Sequence, residues 1–144
     1  MTRFWKSMLF TCSLTMLTGV SAAFTVAHSA FAVEVQHVTA ASAAKLIEKN
    51  RSNKDLVVLD VRTAEEFAED HIGGAQQLDF YAKDFKDQLA KLDKSKAYLL
   101  YCRSGGRSGK AAAMMTELGF SRVSEISGGM ISWEKAKLPV VSGN

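Results

Sequence analysis

Acidic residues are missing from the first 32 positions, and cysteine is missing from all but positions 12 and 102. Beyond position 32 there is no internal repeat, no low-complexity tract and no Pro/Gly/Ser-rich linker. Nor is there a basic stripe, or a cluster of His, Cys, Asp and Glu at metal-ligand spacing. Each absence excludes something. Without repeats or linkers, residues 33–144 read as one domain. Without a basic patch there is no electrostatic footprint for a nucleic-acid partner. Without ligand spacing no metal is expected, and nothing in the pattern asks for a cofactor.

The acid-free start, MTRFWKSMLFTCSLTMLTGVSAAFTVAHSAFA, has an order of its own. Arg3 and Lys6 open it, an apolar stretch runs from Met8 to Val20, and a small-residue tail ends in Ala30-Phe31-Ala32. Positive, then apolar, then A-x-A is the pattern of a secretory signal peptide, with cleavage predicted after Ala32 and a weaker site at Ala23. A membrane anchor competes with that reading. Thr, Ser and His28 break up the apolar region, and a spanning helix needs about 20 predominantly apolar residues. A lipid-anchored start at Cys12 meets bulky Phe10 in LFTC where a small residue is expected. The expected location is periplasmic or secreted, with no stable membrane association once the signal is gone.

Removal of residues 1–32 takes Arg3 and Lys6 but no acid, so 16 basic residues then face 15 acidic ones, a net charge of about +1. It also takes Cys12, leaving Cys102 alone. An oxidising compartment turns paired cysteines into disulfides. A single one must be buried, intermolecular or reactive.

The remaining chain alternates helical and strand signals. Residues 39–50, TAASAAKLIEKN, space Ala43, Ala44, Leu46 and Ile47 as a helix that Thr39 can cap. DLVVLDV (55–61) and AYLLY (97–101) are unbroken apolar runs, the mark of strands buried on both faces. Thr63 and Glu66 form a capping box before a short helix. A weaker strand is expected in 73–80, a helix in 81–92 with Phe85, Leu89 and Leu92 inward, and a strand in 121–126. SGKAAAMMTELG (108–119) stripes Ala111, Met115 and Leu118 and stops at Gly119, and residues 128–139 start after a glycine pair and turn Trp133 inward. Such alternation implies an α/β domain with a small, mainly parallel sheet and helices on both faces. Folds of this kind bind ligands at the carboxyl ends of their strands.

Cys102 stands at such a strand end, followed by Arg103-Ser104-Gly105-Gly106-Arg107 and then a helix. Glycines let successive amides turn into an anion-binding nest, and the helix N-terminus adds its positive end. With the arginines, these features favour thiolate over thiol and predict a pKa below the free value of about 8.5. A structural core cysteine has no use for a glycine-lined, arginine-flanked loop. Two chemistries fit a nucleophilic cysteine here. Phosphoryl or arsenate chemistry uses C-x5-R, but position 108 is Ser and Arg107 falls one short. The smaller cradle suits the second chemistry, transfer of a sulfur atom held on the cysteine as a persulfide.

Three segments carry a family resemblance, namely CRSGGRS (102–108), LDVRTAEEFAEDHIGGA (59–75) and ISGGMISWEKAKLPV (126–140). In this order they resemble the active loop, upstream motif and closing segment of a single-domain rhodanese, a thiosulfate sulfurtransferase-like module. The resemblance spans residues 35–142, with Gly73 departing where the family often has proline. It implies Cys102 as the catalytic residue and Arg103, Ser104, Gly105, Gly106, Arg107 and Ser108 as the substrate cradle. It implies thiosulfate or a similar small-molecule donor, with cyanide or a thiol as acceptor. Asp60 and Arg62 are expected to brace the site and His71 to brace a turn, since a thiolate needs no base; His37 looks incidental. The alternatives are a cysteine phosphatase or arsenate reductase, and a non-catalytic binding module of the same fold.

Overall fold

The structure, a computed structural model, describes residues 34–143. The expected signal segment and its cleavage sites lie outside the described residues. Among the described residues five strands and five helices alternate: β1 (Gln36–Val38), α1 (Ala40–Lys49), β2 (Leu56–Asp60), α2 (Ala64–Glu69), β3 (Gln76–Gln77), α3 (Phe85–Ala90), β4 (Ala97–Tyr101), α4 (Gly106–Glu117), β5 (Val123–Ile126) and α5 (Gly129–Lys135). The strands form one sheet in the order β1-β5-β4-β2-β3, and every pairing is parallel. This is the α/β architecture expected, with the strand that carries Cys102 at its centre.

The two-residue period of a strand distributes β4 between two cores. Tyr98, Leu100 and Cys102 join Val57, Leu59 and Val61 of the neighbouring strand against α3 and α4. Leu99 and Tyr101 face the other way, with Val58, onto Ala40 and Ala43 of α1 and Met130 and Trp133 of α5. Parity therefore sends the Cys102 side chain to the α4 face. The sheet has no wet side, which is why both apolar runs are unbroken.

Local signals set most of the boundaries. Thr39 caps α1 by accepting from the Ser42 amide at 3.2 Å. At α2 the capping box is complete: Thr63 Oγ1 accepts from the Glu66 amide at 3.3 Å, and the Thr63 amide donates to Glu66 Oε2 at 3.2 Å. Gly119, at φ +89°, ends α4 as anticipated, and the Phe120 amide donates back to the Met115 carbonyl.

Four elements differ from expectation. The strand in 73–80 shrinks to Gln76–Gln77, at the edge of the sheet. The helix in 81–92 starts only at Phe85, because Asp79 captures the Tyr81 amide on its side chain and the Ala82 amide on its carbonyl, making turns of 79–84. α4 starts at Gly106 rather than 108, so Gly106 and Arg107 join Ser108 in its first turn and do not belong to the loop. Edge strand β1, which no apolar run announces, pairs with β5.

Candidate active site

The site begins where β4 runs out. Cys102 is only 1% exposed, its sulfur lying beneath a loop of three residues that turns into α4. Gly105 makes that turn. Its φ of +100° is one that L side chains rarely adopt, and a Cβ there would meet Glu125 Oε1 at 3.2 Å. In this conformation the Gly105 amide donates to Cys102 Sγ at 3.1 Å, and Ser108 Oγ lies 3.5 Å from the same sulfur. Burial pushes the Cys102 thiol up. The Ser108 hydroxyl and the amides of Ser108, Ser104 and Gly105 pull it down and prevail, leaving it below its ordinary value. The positive end of the twelve-residue α4 acts in the same direction.

A loop whose amides face inward must find partners for its carbonyls elsewhere. α5 supplies them. The Met130 amide donates to the Cys102 carbonyl at 2.9 Å and the Ile131 amide to the Arg103 carbonyl at 3.1 Å. These are first-turn amides that a helix leaves free. So close an approach requires glycine at 129, where φ is +53° and a Cβ would run into the Cys102 carbonyl oxygen; a Cβ on Gly128, at φ +75°, would instead run into the Ser132 side chain of the same helix.

Arg107 has a partner already. Its Nη1 and Nη2 donate to the two Glu66 carboxylate oxygens at 2.6 and 2.8 Å, a bidentate clasp between α4 and α2. The guanidinium also stands 5.6 Å from the centre of the Tyr81 ring. Its bond to Arg107 holds the Glu66 carboxyl down at about 2, against a burial cost that works the other way. Glu66 in turn raises Arg107, as does its interaction with Cys102. Arg103, Ser104 and Gly106 form the exposed rim, whereas Ser108 is fully buried.

A strand-end cysteine served by backbone amides can be placed among known proteins. The profile of the Rhodanese-like domain matches residues 39–136. The chain belongs to the rhodanese-like domain family. A sulfurtransferase of Allochromatium vinosum is 32% identical over 97 residues, covering 67% of this chain and 89% of that protein. A putative sulfurtransferase of Bacillus subtilis, YtwF, is 38% identical over 98 residues, covering 68% and 92%. Among solved structures, the rhodanese-like domain of the Anabaena protein Alr3790 superposes with a TM-score of 0.64 at 25% identity, covering 76% of this chain and 80% of that one.

Within this rhodanese-like domain, Asp60 and Arg62 form the brace that was expected. Both are buried. Arg62 Nε and Nη2 donate to Asp60 Oδ2 at 2.9 and 2.8 Å, and Nη1 donates to Asp70 Oδ1 at 3.0 Å. Burial opposes the Arg62 charge, but these bonds outweigh it and hold the guanidinium above its ordinary range. The pair ties the end of β2 to the segment after α2. His71 sits there, its Nδ1 2.9 Å from the Phe67 carbonyl and its ring stacked on Phe67 at 3.8 Å. Its backbone pairs with Val141 in both directions. That is a turn brace.

Sequence reasoning passed over two residues. Glu125 is buried on β5, with Oε1 accepting from Ser108 Oγ at 2.6 Å. His37 of β1, read as incidental, places Nδ1 2.9 Å from Glu125 Oε2. One signal was present: Glu125 shares strand parity with core residue Val123, so an acid there points inward.

Proposed function

We propose that this rhodanese-like protein is a thiosulfate sulfurtransferase that cycles through a persulfide on Cys102. The observation carrying this is the Cys102 sulfur at the end of β4, lowered in pKa by the loop amides while almost wholly covered. A covered thiolate suits a reactant that presents one terminal atom. The thiolate attacks the outer sulfur of thiosulfate, the bond to the sulfonate sulfur breaks, and its electron pair leaves with sulfite. The new outer sulfur carries the negative charge into the amide nest, where hydrogen bonds stabilise it. Cyanide or a thiolate then attacks that sulfur and leaves as thiocyanate or a persulfide, and the pair returns to Cys102. No net proton is needed in either step, so no general base is required. We further propose that the protein works outside the cytoplasm after loss of residues 1–32, a reading supported by the N-terminal pattern.

The test is the intact mass of the purified protein before and after thiosulfate, with Cys102→Ala alongside. A gain of one sulfur atom on the wild type alone, reversed by cyanide with thiocyanate formed, is the expected result. Absence of any gain from a reduced sample, with every sulfur donor tried, would overturn the proposal. Turnover of a phosphate ester without sulfur loading would then assign oxyanion chemistry, and partner binding unchanged in Cys102→Ala a binding module. The N-terminal residue of protein recovered from an exporting host tests the location; an intact Met1 would refute cleavage.

A further inference from the structure

Ser108 Oγ has three acceptors around it: Glu125 Oε1 at 2.6 Å, the Gly105 carbonyl at 3.2 Å and Cys102 Sγ at 3.5 Å. A hydroxyl has one hydrogen to give. The bond to a carboxylate is charge-assisted, shorter and about twice as strong as a neutral one. Glu125 and the sulfur thus compete for the one side-chain donor beside Cys102, and the geometry favours Glu125. The carboxylate is only 4% exposed. Its other oxygen faces His37, directly opposite Glu125 in the β1–β5 register and 63% exposed.

We propose that Glu125 is a positioning residue for Cys102: it draws the Ser108 hydroxyl hydrogen towards itself and so weakens, without abolishing, the stabilisation that this hydroxyl gives the thiolate. The thiolate then rests mainly on the loop amides, which leaves it more basic and therefore more nucleophilic than a sulfur that also held the hydroxyl. The other charged groups nearby do not replace this control. From β1 comes His37, which touches Glu125 and not the sulfur. From α4 comes Arg107, clasped by Glu66 of α2, while Lys110 is exposed. From β2 come Asp60 and Arg62, which neutralise each other. Arg103 lies on the exposed rim, and the first turn of α5 carries no charged side chain.

The inference concerns the thiol itself, so its test needs no sulfur donor and its failure would leave the sulfurtransferase reading untouched. The rate of iodoacetamide alkylation is followed against pH in the wild type, Glu125→Gln, Ser108→Ala and the double variant. Glu125→Gln is close to isosteric and replaces the charge-assisted bond by a neutral one. The Ser108 hydrogen is then free to turn to the sulfur, and the apparent pKa of Cys102 falls by about one unit, a tenfold change in ionisation. With alanine at 108 there is no hydrogen to release, so the same Glu125→Gln change lowers the pKa by less than half as much. Ser108→Ala alone raises it by less than about half a unit, an outcome that stands even if Glu125→Gln does not fold. No fall in Glu125→Gln, an equal fall without Ser108, or a larger rise in Ser108→Ala would each overturn the assignment.

Discussion

Alanine at position 129 would place a methyl carbon against the backbone that carries the nucleophile. Gly129 has φ +53°, a conformation that costs an L residue about 1–2 kcal/mol. The new Cβ would overlap the Cys102 carbonyl oxygen and come within 2.9 Å of the Arg103 carbonyl carbon and oxygen. Both neighbours are backbone, which cannot rotate aside as a long side chain can, so α5 must move away from the loop. That movement gives up the bonds from Met130 to Cys102 and from Ile131 to Arg103, at about 1 kcal/mol each. The total is about 3–4 kcal/mol, the upper part of the range for a single substitution. For a domain of about this size each kcal/mol moves the melting temperature by roughly 4 °C or more, so Gly129→Ala should melt about 12 °C or more below the wild type.

Gly119→Ala is the control. Gly119 also has positive φ, +89°, but nothing lies within 4 Å of its Cβ position. It should lose only the conformational part, about 1–2 kcal/mol. Thermal melts of the two variants, with urea unfolding as a check on the free energies, separate the contact from the backbone strain. Equal losses would refute the reasoning, since they would show that α5 does not have to sit against the loop.

Three further outcomes follow from the site. On the proposed sulfurtransferase reading the Arg107 guanidinium, clasped by Glu66, also faces the donor, so Arg107→Ala should raise the KM for thiosulfate about tenfold, the value of one hydrogen bond to a charged group; unchanged steady-state kinetics would refute that role. The Glu66–Arg107 clasp lowers Glu66 in the folded state to about 2 from an ordinary 4.5. Its contribution is therefore complete above about pH 4.5 and lost as pH falls towards 2. The melting-temperature gap between wild type and Arg107→Ala should accordingly narrow below pH 4.5, and a gap that widened there would refute the assignment. Asp60→Ala leaves the Arg62 guanidinium buried beside an empty place, with Asp70 as its remaining acid, and should cost about 3–5 kcal/mol in chemical denaturation. A loss under 1 kcal/mol would show that Asp60 is not the counter-charge.

The features readable in the sequence were those whose signal is local. AYLLY is a strand that must be covered on both sides, and the residue after it has to emerge at the strand's carboxyl end, which is why the position of Cys102 could be foreseen. Thr63 and Glu66 are three apart, so their capping box could be foreseen too. Arg107 and Glu66 are 41 positions apart, and no local spacing shows that one carboxylate serves both the cap of α2 and the arginine of α4. His37 and Glu125 meet only because β1 and β5 pair in a register that puts them opposite. Register is a property of the assembled sheet. α4 starts earlier than its apolar stripe suggested, and its N-cap, Gly105, has no capping side chain to mark that start in the sequence.

That last point bears on how the site is built. With no side-chain oxygen at the N-cap, the first amides beyond Cys102 have no local acceptor other than the sulfur and whatever anion enters the loop. A serine or aspartate at 105 would compete for those amides and would require a side chain at φ +100°. Glycine at 105 keeps the donors in front of the sulfur free, and glycine at 129 brings α5 close enough to hold the carbonyls behind it. The amides and the carbonyls of one short loop thus point in opposite directions for two separate reasons. A variant that disturbs either glycine site should lose thiolate stabilisation along with stability, because the α5 amides that hold the loop carbonyls keep the loop amides turned towards the sulfur.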